Sequence, residues 1–260
     1  MSQKLPPFLY EIFDPSLPRL GPGDDASTIH ALDLAFSKMH QRADVPGPAH
    51  LRILDVGCGN GAQTIQLAKY TDTVIDAVDN HQPYLDELMR RAEAEGLSGR
   101  IRPHLGDMGA LEMGTESFDL VWAEGSLFVM GFNEGLTACR DLLAPEGLLG
   151  ASELTWFRDN PPPECRDYFN GIYPAMTGID SNLTAIKRCG FEMVGHFLQP
   201  ESAWLIPYYQ PLENRLQSFR TRYAGDPERI ETIESMQMEI DIFRKYSDYF
   251  GYTFFIMQRR

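Results

Sequence analysis

Ile53–Thr64 reads ILDVGCGNGAQT: an apolar run, three glycines at alternate positions, and then a stretch of helical character. RILDV predicts a buried strand and AQTIQLAKY the helix after it. Glycine tolerates positive φ and presents no β-carbon, so Gly57, Gly59 and Gly61 leave bare backbone at the strand-to-helix turn. The helix behind them starts with N–H groups that have no partner of their own. Such a turn suits a ligand of nucleotide type without naming it, and a tight turn holding nothing would also be written this way.

Outward from this turn the chain alternates. TVIDAVD predicts a strand, and PYLDELMRRAEAEG a helix that starts at a proline and ends at Gly96. IRPHLGD predicts a weaker strand, FDLVWAEG a stronger one, NEGLTACRDLLAPEG a helix stopped by Pro145 and Gly147, and LLGASEL another strand. This alternation predicts a mostly parallel sheet with helices on both faces. The last third departs from it: NLTAIKRCG is a short helix and FEMVGHFLQ a strand, followed by a long helical stretch through PERIETIESMQMEIDIFRKYSDYFG and a terminal strand, YTFFIMQ. The two late strands are expected to pair antiparallel at the sheet edge. Upstream, ASTIHALDLAFSKMHQ repeats apolar residues at helical spacing, with Ile29, Leu32, Phe36 and Met39 near one face, and DVPGPAH stops it. The expected fold is α/β and Rossmann-like, a seven-stranded mostly parallel sheet with the last strand antiparallel. It carries an N-terminal helical cap and a helical insertion before the last strand. No linker marks a second domain: residues 1–50 read as cap, 51–155 as core and 156–260 as acceptor-side insertions with the late strands.

Gly57, Gly59 and Ala62 satisfy G-x-G-x-x-A, and Asp79 lies near the spacing of a ribose-binding acid, but this string alone discriminates poorly. Two further features narrow the choice. Asp55 stands two residues before the first glycine, where a dinucleotide site usually has an apolar residue and a positively charged ligand would favour a carboxylate. Asp79, Asp107 and Glu124 then follow, each at the carboxyl end of an expected strand, the edge at which open parallel sheets bind ligands.

With LDVGCGNG, AVD, GDM, FDLVWAEGSLFVMG and LLAPEGLL in this order between about Ile53 and Leu154, the chain resembles the class I S-adenosylmethionine-dependent methyltransferases. Beyond that core it is similar to the small-molecule subgroup that includes the ubiquinone/menaquinone-type enzymes. RLGPG, WAEGS, HFLQPESAW and YFGYTFF extend the likeness, to a group of uncharacterised bacterial methyltransferases, over nearly the whole chain.

The resemblance implies a set of roles. Gly57, Gly59 and Gly61 would approach the methionine part and ribose of S-adenosylmethionine, with Asp55 organising the loop or meeting the ammonium. Asp79, with Asn80 beside it, would accept both ribose hydroxyls. Asp107 would accept from the adenine amino group while Met108 packs near the ring. Glu124, followed by Gly125, is a candidate for the cofactor's ammonium, for a substrate cation or for a base. Arg19 is a candidate clamp on a carboxylate, since its fork matches that geometry. Glu124, Glu153 and His196 are the eligible general bases for an oxygen, nitrogen or sulfur acceptor. Tyr10, Phe128, Trp156, Tyr173 and Trp204 are the acceptor-pocket candidates.

The balance of 23 basic against 37 acidic residues, a formal charge of −14, weighs against nucleic acid and anionic lipid as partners. A small-molecule acceptor, a cytoplasmic location and a possible homodimer are expected. No apolar run approaches the roughly 18 to 20 residues of a membrane span. Four scattered cysteines and six scattered histidines show no metal-ligand spacing, so no metal is expected. An NAD(P)-dependent oxidoreductase and a non-catalytic S-adenosylmethionine-binding protein remain the rival readings.

Overall fold

The computed structural model describes residues 5–41, 50–111 and 113–260. Two short helices lead the chain, α1 (Pro7–Ile12) and α2 (Asp25–Met39); Asp24 caps the second by accepting from the Ser27 N–H at 2.6 Å. Then come β1 (Ile53–Val56), α3 (Ala62–Tyr70), β2 (Ile75–Asp79), α4 (Gln82–Ala94), β3 (Ile101–Leu105), β4 (Phe118–Glu124), α5 (Phe132–Leu142) and β5 (Leu143–Trp156). The remainder is α6 (Pro163–Ile172), β6 (Thr177–Gly178), α7 (Ile179–Arg188), β7 (Phe191–Leu198), α8 (Glu201–Trp204), α9 (Gln210–Arg222), α10 (Pro227–Tyr246) and β8 (Phe250–Arg259).

The strands form one sheet in the order β3-β2-β1-β4-β5-β8-β7, with β6 paired to β5 off this path. Every pair is parallel except those of β8, which runs antiparallel to both neighbours. The Rossmann-like α/β expectation therefore holds, including the antiparallel last strand. Three details differ. The last strand is interior and β7 is the edge. The two-residue β6 is an eighth strand. The stretch APEG belongs to β5 rather than to the preceding helix, which ends at Leu142; Glu146 turns the chain there with φ of 60°. In α2 the buried face is Thr28, Ala31, Leu32, Ala35, Phe36 and Met39, while Ile29 is exposed, because the stripe follows the four-residue step from Thr28. The expected DVPGPAH stop lies outside the described residues apart from His50.

Both sheet faces are covered, as the near-continuous apolar strands require. Ile53, Trp122 and Phe254 face one cluster with Leu32, Leu67 and Leu88; Leu54, Val121 and Phe255 face the other with Leu136 and Leu149. A third cluster builds the layer above the carboxyl end of β5 and the amino end of β8, where Trp204, Tyr209 and Phe243 meet Phe169 and Phe250. Trp204 stacks on Phe243 at 4.5 Å between centroids. Between α8 and α9, Leu205–Tyr209 forms a π-helical turn around Pro207, whose missing N–H interrupts the regular ladder.

Candidate functional site

The glycine turn lies at the tip of β1. Gly57, Gly59 and Gly61 have φ of 71°, 54° and 87°, a region that side chains with a β-carbon rarely enter. The Gly57 and Cys58 N–H groups donate to the Val78 carbonyl, both at 2.9 Å, which ties the turn to β2. A β-carbon on Gly57 would stand 2.6 Å from Ser126 Cβ and 3.0 Å from Met108 Cε. The turns after β1, β3 and β4 thus converge at this glycine. Ser126 reinforces the convergence by donating from Oγ to the Val56 carbonyl at 2.8 Å.

Asp79 ends β2. Its Oδ2 accepts from the Gly59 N–H and its Oδ1 from the His81 N–H, each at 2.9 Å. Burial pushes this carboxyl upward, and the backbone N–H groups of His81, Gly59 and Asn80 oppose that. Asp107 accepts from the Gly109 N–H at 2.9 Å.

Asp55 lies beneath the turn, fully buried, and accepts from Thr64 Oγ1 at 2.6 Å and Gln63 Nε2 at 3.3 Å. It therefore fastens α3 to β1. Burial first, then the charges of Glu124 and Asp79, push its carboxyl up to about 7, although the Thr64 and Gln63 bonds pull it down. Glu153 on β5 is pushed up to about 7 by burial, against the Tyr173 hydroxyl and the Leu154 N–H. In both cases the native state holds a proton that the unfolded chain has already released, so stability falls as pH rises from the ordinary carboxyl range through about 7. Glu87 and Glu213 are lowered to about 2 by Arg90 and Arg244, and their opposite trend lies below the ordinary carboxyl range. Thermal unfolding is expected to show a melting temperature that drops between about pH 5.5 and about pH 8, with Asp55→Asn flattening the slope. A melting temperature that climbs over that interval would contradict this.

Glu124, at the tip of β4, is enclosed by the protein's own donors. Its Oε1 accepts from Thr28 Oγ1 at 2.6 Å and Trp122 Nε1 at 2.9 Å, and its Oε2 from Arg19 Nη1 at 3.2 Å. Arg19 is itself buried and also pairs with Asp25 at 3.1 Å. The carboxylates this fork meets are thus the chain's own. The pair locks the N-terminal cap to the sheet, because removing either member would leave a buried charge uncompensated.

The cap reaches further. Asn60 Nδ2 donates to the Pro15 and Leu17 carbonyls at 3.0 and 2.7 Å, and Arg91 Nη2 to Leu17 at 2.6 Å. Tyr84 donates to the Phe13 carbonyl at 2.8 Å, and Leu20 Cδ1 lies 3.2 Å from where a Gly59 β-carbon would be. The segment from Phe13 to Leu20 therefore straps over the glycine turn and α4. Asn60, Thr28 and Arg91 were missed as site residues in the sequence; Asn60, placed within the glycine loop itself, was the one signal available there.

The acceptor-side candidates divide. Tyr173 donates to Glu153 Oε1 at 2.7 Å, and Phe128 lies edge-on to Tyr173 at 6.1 Å. Trp156 packs edge-on to Phe169 at 5.4 Å, while Tyr10 stacks on His81 at 3.8 Å beside β2. His196 is not gathered with the rest: it is exposed on the edge strand β7, in register with Phe255, and β8 and β5 separate it from β4. Tyr208 also enters this region, as do Tyr252 and Glu239, neither singled out from sequence; Tyr252 lies 3.1 Å from where a Gly125 β-carbon would be.

Against known proteins, residues 53–147 match a family model described as a methyltransferase domain. The sterol 24-C-methyltransferase of Aspergillus fumigatus is 31% identical over 170 residues, covering 62% of this chain and 45% of that protein. The chain spans about half the length of the curated relatives it matches. The name of those relatives specifies carbon as the methylated atom, which the sequence-based choice of oxygen, nitrogen or sulfur did not include. Among solved structures, a Thiobacillus denitrificans S-adenosylmethionine-dependent methyltransferase in complex with S-adenosyl-L-homocysteine aligns with a TM-score of 0.81 at 18% identity, over 99% of this chain and 100% of that one. The [4+2]-cyclase SpnF aligns with a TM-score of 0.74 at 19% identity, over 97% and 94%. Likeness at these identities concerns the fold.

Proposed function

Residues 53–147 match the methyltransferase-domain family model, and we propose that the protein transfers a methyl group from S-adenosylmethionine to a small molecule. The observation that carries this reading is the Asp79 carboxylate, held at the tip of β2 by the Gly59 and His81 N–H groups over a turn of three left-handed glycines. A carboxylate suits two vicinal hydroxyls, and bare backbone suits close approach of a flat, extended ligand.

In this reading Gly57, Gly59 and Gly61 form the floor of the donor site. Asp79 with Asn80 holds the ribose, Asp107 and Met108 border the adenine, and Gly125 borders the sulfur. Asp55, Glu124 and Arg19 keep the floor and cap in position: Asp55 through α3, and the buried Arg19–Glu124 pair through α2 and the strap. When bound, S-adenosylmethionine supplies an activated methyl on a good leaving group. The protein's part is to hold the acceptor in line with it and to exclude water. Glu153, bonded to Tyr173 and pushed up to about 7, is the group best matched to receive an acceptor proton near neutral pH. The chain works as one domain, with residues 1–50 as cap, 51–155 holding the donor and 156–260 closing over the acceptor. A cytoplasmic setting fits its acidic balance.

Calorimetric titration with S-adenosylhomocysteine tests the donor assignment. Saturable binding at one site per chain is expected, together with no heat from NADH under the same conditions. Heat from NADH alone would replace this reading with the oxidoreductase one.

A further inference from the structure

The acceptor side of the cleft holds two carboxylates, one buried and one half-buried, with no basic partner among the described residues. Glu153 is buried and bonded to Tyr173; Glu239 on α10 accepts from the Tyr209 hydroxyl at 3.0 Å. Burial pushes both upward, and only hydrogen bonds from a phenol, plus one backbone N–H at Glu153, oppose it. Tyr252 feels both carboxylates, and Tyr168, Tyr208 and Tyr209 feel Glu239. Among the described residues, none of the influences on Glu153, Glu239 or Tyr252 comes from a lysine, arginine or histidine. The phenol cluster opens toward the β4 tip, where Tyr252 Oη stands 3.1 Å from the position of a Gly125 β-carbon.

Two orphaned polar groups flank Tyr252. The Gln199 N–H donates to the Tyr252 carbonyl at 2.9 Å, one step beyond the Leu198–Thr253 register, so the two side chains share a sheet face. Gln199 is 4% exposed, yet neither its Oε1 nor its Nε2 has a partner. Trp204 is 4% exposed, its ring is 4.9 Å from that of Tyr252, and its Nε1 is also unpartnered. Buried polar groups are ordinarily bonded, and buried carboxylates ordinarily paired. Outside the cluster, Phe128, Val129 and Ile172 are exposed, with Phe128 and Ile172 flanking Tyr173 in space and in sequence.

A ligand that brings a positive charge on an apolar body meets all of these features: it neutralises the acids, lies against aromatic faces and covers the rim. Resting on the methyl-transfer reading above, we infer that the acceptor is a lipophilic alkylamine. Its nitrogen lies among Glu153, Tyr173 and Tyr252, and its hydrocarbon chain passes out over Phe128 and Ile172. The bound ammonium first passes one proton to a Glu153 oxygen; the lone pair so freed forms the new nitrogen–carbon bond as the sulfur–methyl bond breaks, and that bond's electrons leave with the sulfur. The product, again a cation, keeps its charge between the two carboxylates until it departs. An alcohol would leave as a neutral ether and an acid would add a third negative charge, so neither supplies the missing counter-charge.

The test titrates full-length protein, saturated with S-adenosylhomocysteine, with octylamine, octyltrimethylammonium, octanol and octanoate. The two cations are expected to bind at least about tenfold more tightly than octanol or octanoate. Octylamine should gain a methyl group by mass spectrometry when S-adenosylmethionine replaces the product. Glu153→Gln is expected to erase the cation preference without changing S-adenosylhomocysteine affinity; Tyr252→Phe serves if that variant does not fold, and should weaken the preference in the same direction. Equal binding of the four probes, or a preference for octanoate, would overturn the inference while the donor site still binds. Failure of S-adenosylhomocysteine itself to bind would remove the underlying reading, and the inference with it.

Discussion

Asp79→Ala is expected to weaken S-adenosylhomocysteine binding by about two to four orders of magnitude while the protein stays folded. Two hydrogen bonds to a charged carboxylate, each worth about 1.5 to 3 kcal/mol, would be lost together. The variant also frees the Gly59 and His81 N–H groups, so the turn that the carboxylate organises loses a fixed point. Fold stability should change little by comparison, since burial already makes the charged form of this carboxylate costly. Asp79→Asn separates the contributions: it keeps one acceptor of similar shape and should fall between wild type and alanine. Calorimetry on the three proteins, with thermal unfolding as the control for folding, decides the matter. An alanine variant that binds as tightly as wild type would detach Asp79 from the ribose and leave the glycine turn without its proposed ligand.

The largest stability effect is expected at Gly61. Its φ is 87°, and an added β-carbon would lie 2.2 Å from Leu88 Cδ1 and 3.0 Å from Leu88 Cβ and Cγ. The left-handed conformation costs a non-glycine residue about 1 to 2 kcal/mol, and forcing a methyl into a packed core costs about 1 to 3 kcal/mol more. Gly61→Ala should therefore destabilise by about 2 to 5 kcal/mol, a large part of the roughly 5 to 15 kcal/mol that holds a domain together. Gly96 is the internal control, with φ of 70° and nothing within 4 Å of the added carbon. Gly96→Ala should cost only the conformational share. Chemical denaturation of both variants separates backbone strain from collision, and equal losses at the two positions would mean that Leu88 moves aside at no cost.

Much of this molecule was legible in the sequence where one residue's chemistry decides its neighbourhood. Gly57, Gly59 and Gly61 announce positive φ, and the apolar strand runs announce a sheet covered on both faces. Long-range pairing is what stayed hidden. Glu124 looked like a free acid at a strand tip, but it is held by Thr28, Trp122 and Arg19, the first and last of these supplied by a cap about a hundred residues earlier in the chain. Arg19, expected to clamp a ligand carboxylate, holds Glu124 and Asp25 instead, a target set by how the strap docks. His196 carried the right chemistry on the wrong strand, because only the sheet order reveals that β7 is the far edge. Tyr252 and Glu239 lie in strand and helix patterns that read as ordinary core; nothing in their local spacing marks them as facing the cleft.

The place of β8 has a consequence for biosynthesis. Phe250–Arg259, made after every other described strand, fills the gap between β5 and β7. While a ribosome is still producing α9 and α10, the mainly apolar flank of β5 has no antiparallel neighbour and β7 has no place in the sheet. The amino-terminal half has its full set of strand partners by then, so nascent polypeptide passes through a half-closed stage with an adhesive margin open to intermolecular strand addition. In a heterologous host, the yield of folded protein is expected to rise when translation past Phe250 is fast or chaperones shield that margin.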